Sequence, residues 1–381
     1  MLNVTKAKYD GVKYAVILSL FLFSIGHAQS ISKDRALGWS PSMANPQTES
    51  FSAIYYEWND NHDKSKSVDT LSLVRIDSNG KLFTIQSLDP SLRMQRFTIL
   101  NDTLLLSECC GDYGNTTISV YNALTHSIKK LLDKSIITAV SSDHQYFACQ
   151  RDNIASPSTI YQVKNGEIFE KIKTPCHIHS AFGRNSFVAF DSILARTGKS
   201  LPSRAFDYAI IRSDGSIRDT IPKEVGFSVQ QGKNDRELIY ISGGQYNYRG
   251  DTNTLIAYNS DNKLKDVLFS GLIFDNVFPI PNTDYYLLKG LSQKEWHEQW
   301  DSVIQYTRQK YPEGVIDYDF TPKGYWMIGD SKTKKIKKLE FKDFYPIPSA
   351  SGRHILFYKQ DSDDYQIKVA SLKDLVERMD K

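Results

Sequence analysis

Residues 175–179 read Pro-Cys-His-Ile-His. Two imidazoles two positions apart on an extended strand face the same side, and a pair so placed can share a metal ion. No third ligand is local. Cys109, Cys110, Glu108 and Asp112 are the residues that a neighbouring strand would have to bring to His177 and His179. The plainer alternative is a pair of hydrogen-bonded histidines. Asp361, Asp363 and Asp364 crowd one short stretch, but no full loop of oxygen ligands follows, so they read as an acidic turn. Paired carboxylates of the glycosidase type cannot be picked out, because their spacing is spatial and not sequential. His177, His179, Gln230 and Asp275 form the polar set from which chemistry at a channel mouth would be drawn. No G-x-S-x-G nucleophile elbow occurs. No residue is therefore assigned a catalytic role, and the sequence calls for no cofactor.

Four cysteines occur, Cys109, Cys110, Cys149 and Cys176. In an oxidising compartment all four are disulfide candidates. Connectivity is not readable from sequence, and Cys149 also suits a small buried apolar position.

The residues best suited to gripping a partner are aromatic. Residues 291–312 read LSQKEWHEQWDSVIQYTRQKYP. Ser292 and Glu295 have capping-box spacing. Trp296, Trp300, Val303, Ile304 and Thr307 fall at helical intervals, and Pro312 ends the run. This predicts a helix that either packs its aromatic stripe on a rim or serves as a lid or docking element. His62, Tyr113, Tyr246 and Tyr248 fall in other irregular connections.

These residues must be positioned by a repeating frame. Stretch 71–85, LSLVRIDSNGKLFTI, alternates apolar and polar residues on both sides of a tight turn, which marks a β-hairpin. Similar hairpins start near 116, 158, 206, 253, 324 and, less completely, 365. Between them lie strand–turn–strand segments such as 178–190 (IHSAFGRNSFVAF) and 344–358 (FYPIPSASGRHILFY). Each unit is thus four short antiparallel strands in up-and-down order. Units of roughly 40–50 residues of this kind are propeller blades. The expected fold is an all-β, seven-bladed propeller of four-stranded antiparallel blades over 29–381, with a helical insert at 291–312 in the sixth blade. Residues 30–39 are expected to supply the outer strand of the last blade, and 371–381 to form a short helix. The turns within each half-blade are short and polar. The connections before each hairpin vary, so the binding surface is expected on the face they share.

Residues 346–370, PIPSASGRHILFYKQDSDDYQIKVA, resemble the WD40-like repeat of TolB-type propellers: Ser, a turn with Gly, a strand, an acidic loop, a second strand. Residues 140–163 follow the pattern more loosely, and the other units share its rhythm. The resemblance implies fold and not activity.

At the N-terminus Lys6, Lys8 and Lys13 precede an apolar run, Tyr14 to Ile25, and then Gly26-His27-Ala28. This is the layout of a secretory signal cleaved after Ala28. The run is shorter than the ~20 residues needed to span a bilayer. The mature chain is expected in a periplasm or outside the cell. The net charge of +3 falls to about +1 without residues 1–28, which gives no reason to expect nucleic acid. The expected function is binding of a protein or peptide partner on the loop-rich face. An enzyme acting on a glycan or small ester at the channel mouth is the alternative.

Overall fold

A computed structural model describes residues 29–32, 35–38, 44, 49–57, 70–109, 116–151, 157–174, 176–190, 208–221, 229–242, 250–310, 322–341, 343–360 and 365–377. The signal segment 1–28 lies outside them, as do His62, Cys110, Asp112, Tyr113, Tyr246, Tyr248, Asp361, Asp363 and Asp364.

The hairpins close where the sequence marked them, and for a common local reason. A short Asn or Asp at the end of one strand accepts backbone N–H groups two to four residues on, which reverses the chain. Asp77 Oδ1 accepts from Asn79 at 2.8 Å and Lys81 at 2.9 Å. Asp214, Asn259 and Asp330 repeat the device at Ser216, Asp261 and Lys332. A second recurring bond, seen in six units, ties the end of the third strand to the turn before it. Ala123 donates to Thr103, Val163 to Gln145, Ser213 to Asn185, Ser260 to Arg236, Ser331 to Asp284 and Leu372 to Arg353, all at 2.7–2.9 Å.

The chain is an all-β propeller. Its strands form six hydrogen-bonded sheets among the described residues, not seven separate four-stranded ones. The first sheet has five strands and the last has three (Tyr345–Pro348, His354–Gln360, Tyr365–Ser371). Three sheets, spanning 95–133, 135–173 and 177–221, have four strands each. The fifth has seven, because one 15-residue strand, Lys265–Pro279, runs without a break. Its first part pairs with Asn253–Asn259 and its second with Tyr285–Leu291. One strand thus serves as the outer member of one array and the inner member of the next.

Successive arrays pack through apolar clusters contributed by facing strands. Ile54 and Leu73 meet Phe97 and Tyr121. Leu106 and Ile118 meet Phe147 and Tyr161. Ala148 and Ile160 meet Phe187 and Ile211, and Phe182 and Ile210 meet Leu238 and Tyr240. Leu287 and Ile328 meet Ile355 and Phe357. Phe51, Val74 and Ile76 meet Leu356, which closes the ring. Side chains of this size each contribute about 1.5–3 kcal/mol when taken out of water.

Closure differs from the sequence expectation. Arg35–Gly38 does not join the last sheet. It pairs with Phe51–Glu57 in the first, and Gln29–Ser32 pairs with it in turn. Pairing with the nearby strand closes a much shorter loop than reaching to 365–371, so less chain entropy is lost. Helix α1 spans Gln293–Lys310, and helix α2, Leu372–Glu377, follows the last strand. Leu372 and Leu375 of α2 are buried against Phe344 and Phe357. No helix among the described residues is long and apolar enough to cross a membrane.

Candidate functional site at the mouth of the channel

The inner strands Ser135–Val140, His177–Phe182 and Gln230–Gln231 run side by side around the centre. Each is followed by a short polar turn, and these turns converge at one end. There they enclose an open cavity of about 780 Å³. Its walls come from Val140–His144, Arg184, Gln231, Lys233–Arg236, Pro281–Asn282 and Pro348–Ala350, with Ala44 completing the circle.

The turns are tied to one another from sheet to sheet. His144 Nδ1 lies 3.1 Å from the Leu100 carbonyl. Ser142 N–H donates to the Gly183 carbonyl at 3.1 Å, and Gly183 N–H donates to Gln231 Oε1 at 2.8 Å. Asn282 N–H donates to the Lys233 carbonyl, and Lys233 Nζ pairs with Asp284 at 2.8 Å. Gly352 sits so close to Pro281 that a Cβ there would lie 2.1 Å from the Pro281 carbonyl oxygen. At the closing seam Glu49 Oε2 accepts from Ser351 Oγ at 2.5 Å and Ser349 Oγ at 3.3 Å, with His354 Nδ1 at 3.4 Å. The mouth is therefore a hydrogen-bonded girdle, not a set of independent loops.

Its charges fall into two groups. Lys233 is neutralised by Asp284, which also binds Lys332; the two ammonium groups hold the Asp284 carboxyl below its ordinary pKa. Arg236 Nε lies 3.3 Å from Asp261. His144 is buried, and burial lowers its pKa and keeps it neutral. Burial alone would raise the pKa of Glu49, but the Ser351, His354 and Ser349 hydrogen bonds outweigh it and hold the carboxyl low. Asp143 accepts from Ser141 Oγ at 2.7 Å and Gln145 N–H at 3.1 Å, and Asp235 meets Gln231 Nε2 at 3.5 Å. Neither carboxylate, nor the Arg184 guanidinium, has an opposite charge within 4.0 Å among the described residues.

The sequence candidates lie elsewhere. His177 and His179 are not equivalent: a β-bulge between Ile178 and Ser180 breaks the alternation, leaving His177 buried at 8% exposure and His179 exposed. Burial, with His179 adding to it, pushes the His177 pKa down to about 4; the protein packed around the His179 ring lowers its pKa too, by desolvation, although solvent still reaches the side chain. No group of three metal-ligating side chains gathers among the described residues. Glu108, on the strand Leu104–Cys109, is only 3% exposed. Burial raises its pKa, against Arg96 at 3.4 Å and the Ile137 N–H at 2.7 Å. Gln230 donates to the Val277 carbonyl at 2.6 Å and Asp275 pairs with Lys289 at 2.9 Å, so both are engaged in holding strands together. Cys109 is an exposed thiol, Cys149 a buried one and Cys176 half-buried; no disulfide joins any two of them.

Of the partner-gripping aromatics, Trp296 is buried against Ile273 and Leu291 and stacks on Trp300 at 5.6 Å. Gly250, at φ +71°, leaves the space its ring fills: a Cβ there would lie 2.5 Å from Trp296 Cε3. Ser292 and Glu295 form the expected capping box, N–H to carboxylate at 2.8 Å and N–H to hydroxyl at 3.2 Å. The mouth residues were missed because short polar turns look uninformative one at a time. The signal was their recurrence at the same point of every unit, which sets them around one opening.

No known protein family matches the chain, and no curated protein matches it in sequence. Solved structures do resemble it in shape. An oligogalacturonate lyase in complex with manganese matches 88% of this chain and 89% of its own, with a TM-score of 0.51 and 11% identity. Oligogalacturonate lyase from Vibrio parahaemolyticus matches 87% and 88%, with a TM-score of 0.50 and 8% identity. The β-propeller domain of the Trilobed protease from Pyrococcus furiosus, described as having an open velcro topology, matches 90% and 97%, with a TM-score of 0.52 and 11% identity. At such identities the likeness concerns the fold alone. It agrees with the sheets: the chain has the fold of a β-propeller.

Proposed function

We propose that this protein is an exported propeller that binds a segment of a protein or peptide partner without carrying out chemistry on it. The observation that carries this is the open cavity of about 780 Å³, walled by hydroxyl, amide and charged groups on turns already fixed to one another. A concave site with convergent polar groups is the usual form of a binding site, and a mouth that is pre-ordered loses little entropy on binding. Residues 1–28 act as a secretion signal cut near Ala28, which delivers the chain to a periplasm or beyond. The seven-stranded sheet counts as two blades sharing Lys265–Pro279, so the ring has seven, with α1 an insert of the sixth. Its two arrays pack face to face through Ile239, Leu255, Val277 and Leu288 as separate blades do. Trp296 anchors α1, and Trp300, with His62, Tyr113, Tyr246 and Tyr248, serves as a secondary set of contacts to the partner.

The test is a displayed library of random dodecapeptides panned against the purified chain and against Ala350→Trp, which fills the mouth. Sequences should be enriched on the first and not on the second. No enrichment, or equal enrichment on both, refutes the proposal.

One observation favours a second reading. Glu108 is a buried carboxyl of raised pKa at the opposite end of the inner strands, and such groups are used as general acids. Two of the structures of similar fold are lyases. A stoichiometric metal in the purified protein, with turnover of an oligosaccharide lost in Glu108→Gln, would establish that reading instead.

A further inference from the structure

We infer that the segment held in the mouth carries a basic and an acidic side chain close together, and that Asp143, Asp235 and Arg184 select it. This rests on the proposal that the mouth binds a peptide. The cavity wall contains five charged side chains and the neutral His144, and the structure separates the five by what they already touch. Lys233 and Arg236 are committed to Asp284 and Asp261. Their charges stiffen the wall and offer a ligand little. Asp143, Asp235 and Arg184 are the remainder, and they have no opposite charge in reach among the described residues.

Arg184 and Asp235 are exposed and Asp143 is half-buried, but the turns that carry them are fixed. The Asp143 carboxylate is half-buried and oriented by Ser141 and Gln145. Arg184 follows Gly183, whose N–H is fixed to Gln231 and whose carbonyl is fixed to Ser142. Asp235 packs on that same glycine: a Cβ at Gly183 would lie 2.7 Å from the Asp235 carboxyl carbon. Two carboxylates and one guanidinium thus sit on a rigid wall of one cavity. A purely acidic segment would face two carboxylates, and a purely basic one would leave Arg184 opposed to like charge. A segment with a Lys or Arg directed to the aspartates and an Asp or Glu directed to Arg184 satisfies all three.

The test uses four fluorescein-labelled hexapeptides and the purified mature chain, read by anisotropy. One peptide carries a lysine and a glutamate, one two glutamates, one two lysines and one only serine and alanine. The mixed peptide should bind most tightly. Asp143→Asn and Arg184→Gln should each weaken it about threefold to fivefold, the upper end for exposed ion pairs, and the loss should shrink in high salt. The neutral peptide should be unaffected by either change. Asn keeps the oxygen that Ser141 and Gln145 use, so the turn is retained. Equal affinity for all four peptides, with binding abolished in Ala350→Trp, overturns the charge selection and leaves the peptide-binding mouth standing. Absence of binding by any peptide, or binding indifferent to Ala350→Trp, overturns both.

Discussion

Gly352→Ala tests whether the girdle of turns is held by close contact as well as by hydrogen bonds. Two penalties apply. Gly352 has φ +78°, a left-handed conformation that costs an L-residue about 1–2 kcal/mol. The new methyl would also lie 2.1 Å from the Pro281 carbonyl oxygen. That atom is backbone in a turn whose Asn282 N–H is bonded to Lys233, so it cannot swing aside as a side chain would. Overpacking of this kind adds about 1–3 kcal/mol. Gly166 supplies the control. Its φ is +75°, and a Cβ there meets nothing within 4 Å. Gly166→Ala should therefore lose only the conformational share. Equilibrium urea unfolding of both variants separates the terms, and the difference in midpoint at unchanged slope reports the contact alone. Hydrogen exchange at Asn282 and Thr283 should accelerate in Gly352→Ala and not in Gly166→Ala. Equal destabilisation of the two variants would show that the turns do not bear on each other as described.

Three further outcomes are expected. His177 is neutral in the fold with its pKa pushed to about 4, so the unfolded chain takes up the proton first; stability is complete above pH ~6.5 and declines by up to about 3 kcal/mol as pH falls towards 4. His177→Gln should flatten that part of a pH–stability curve, and an unchanged curve counts against the assignment. At the seam, the lowered pKa of Glu49 predicts a contribution present above the unfolded carboxylate value of ~4.3 and lost as pH drops through the lower folded value. Glu49→Gln should remove that acid-limb dependence, as seen in thermal melts across pH 3–6. Ser292→Ala, which deletes half of the capping box, should cost about 1 kcal/mol and fray the start of α1, with the Trp296–Trp300 fluorescence as the reporter.

How far the sequence could be read depended on the range of the physics involved. Hairpins and four-strand units were legible because alternation and Asx turns such as Asp77–Gly80 are local. The α1 cap was legible for the same reason, since Ser292 and Glu295 are three residues apart. Sheet count was less so: nothing in 265–279 signals that one strand will run through two arrays, because its Gly271 looks like a turn residue and instead sits in a continuous strand at φ +82°. Closure was misjudged because residues 35–38 alternate suitably for either edge, and only the cost of loop closure decides between them. The mouth was overlooked because Asp143, Arg184 and Asp235 acquire meaning from one another only once the ring has brought their turns together.

The seam at Glu49 also bears on how the protein is made. Glu49 and Ser351 are 302 positions apart. During synthesis the first sheet leaves the ribosome long before its eventual neighbour exists, and one apolar flank, with Phe51, Val74 and Ile76, stays uncovered until Leu356 arrives. Contacts of such sequence separation form late, and an exposed flank is what chaperones and aggregation compete for. Sheets that follow one another are joined by the chain itself, whereas the first and last are held, among the described residues, by side chains alone, so this junction is also where the ring would open first under strain. A circular permutant that moves the break to another junction would place Glu49 and Ser351 on one continuous stretch. Its refolding yield would measure what the late closure costs the natural chain.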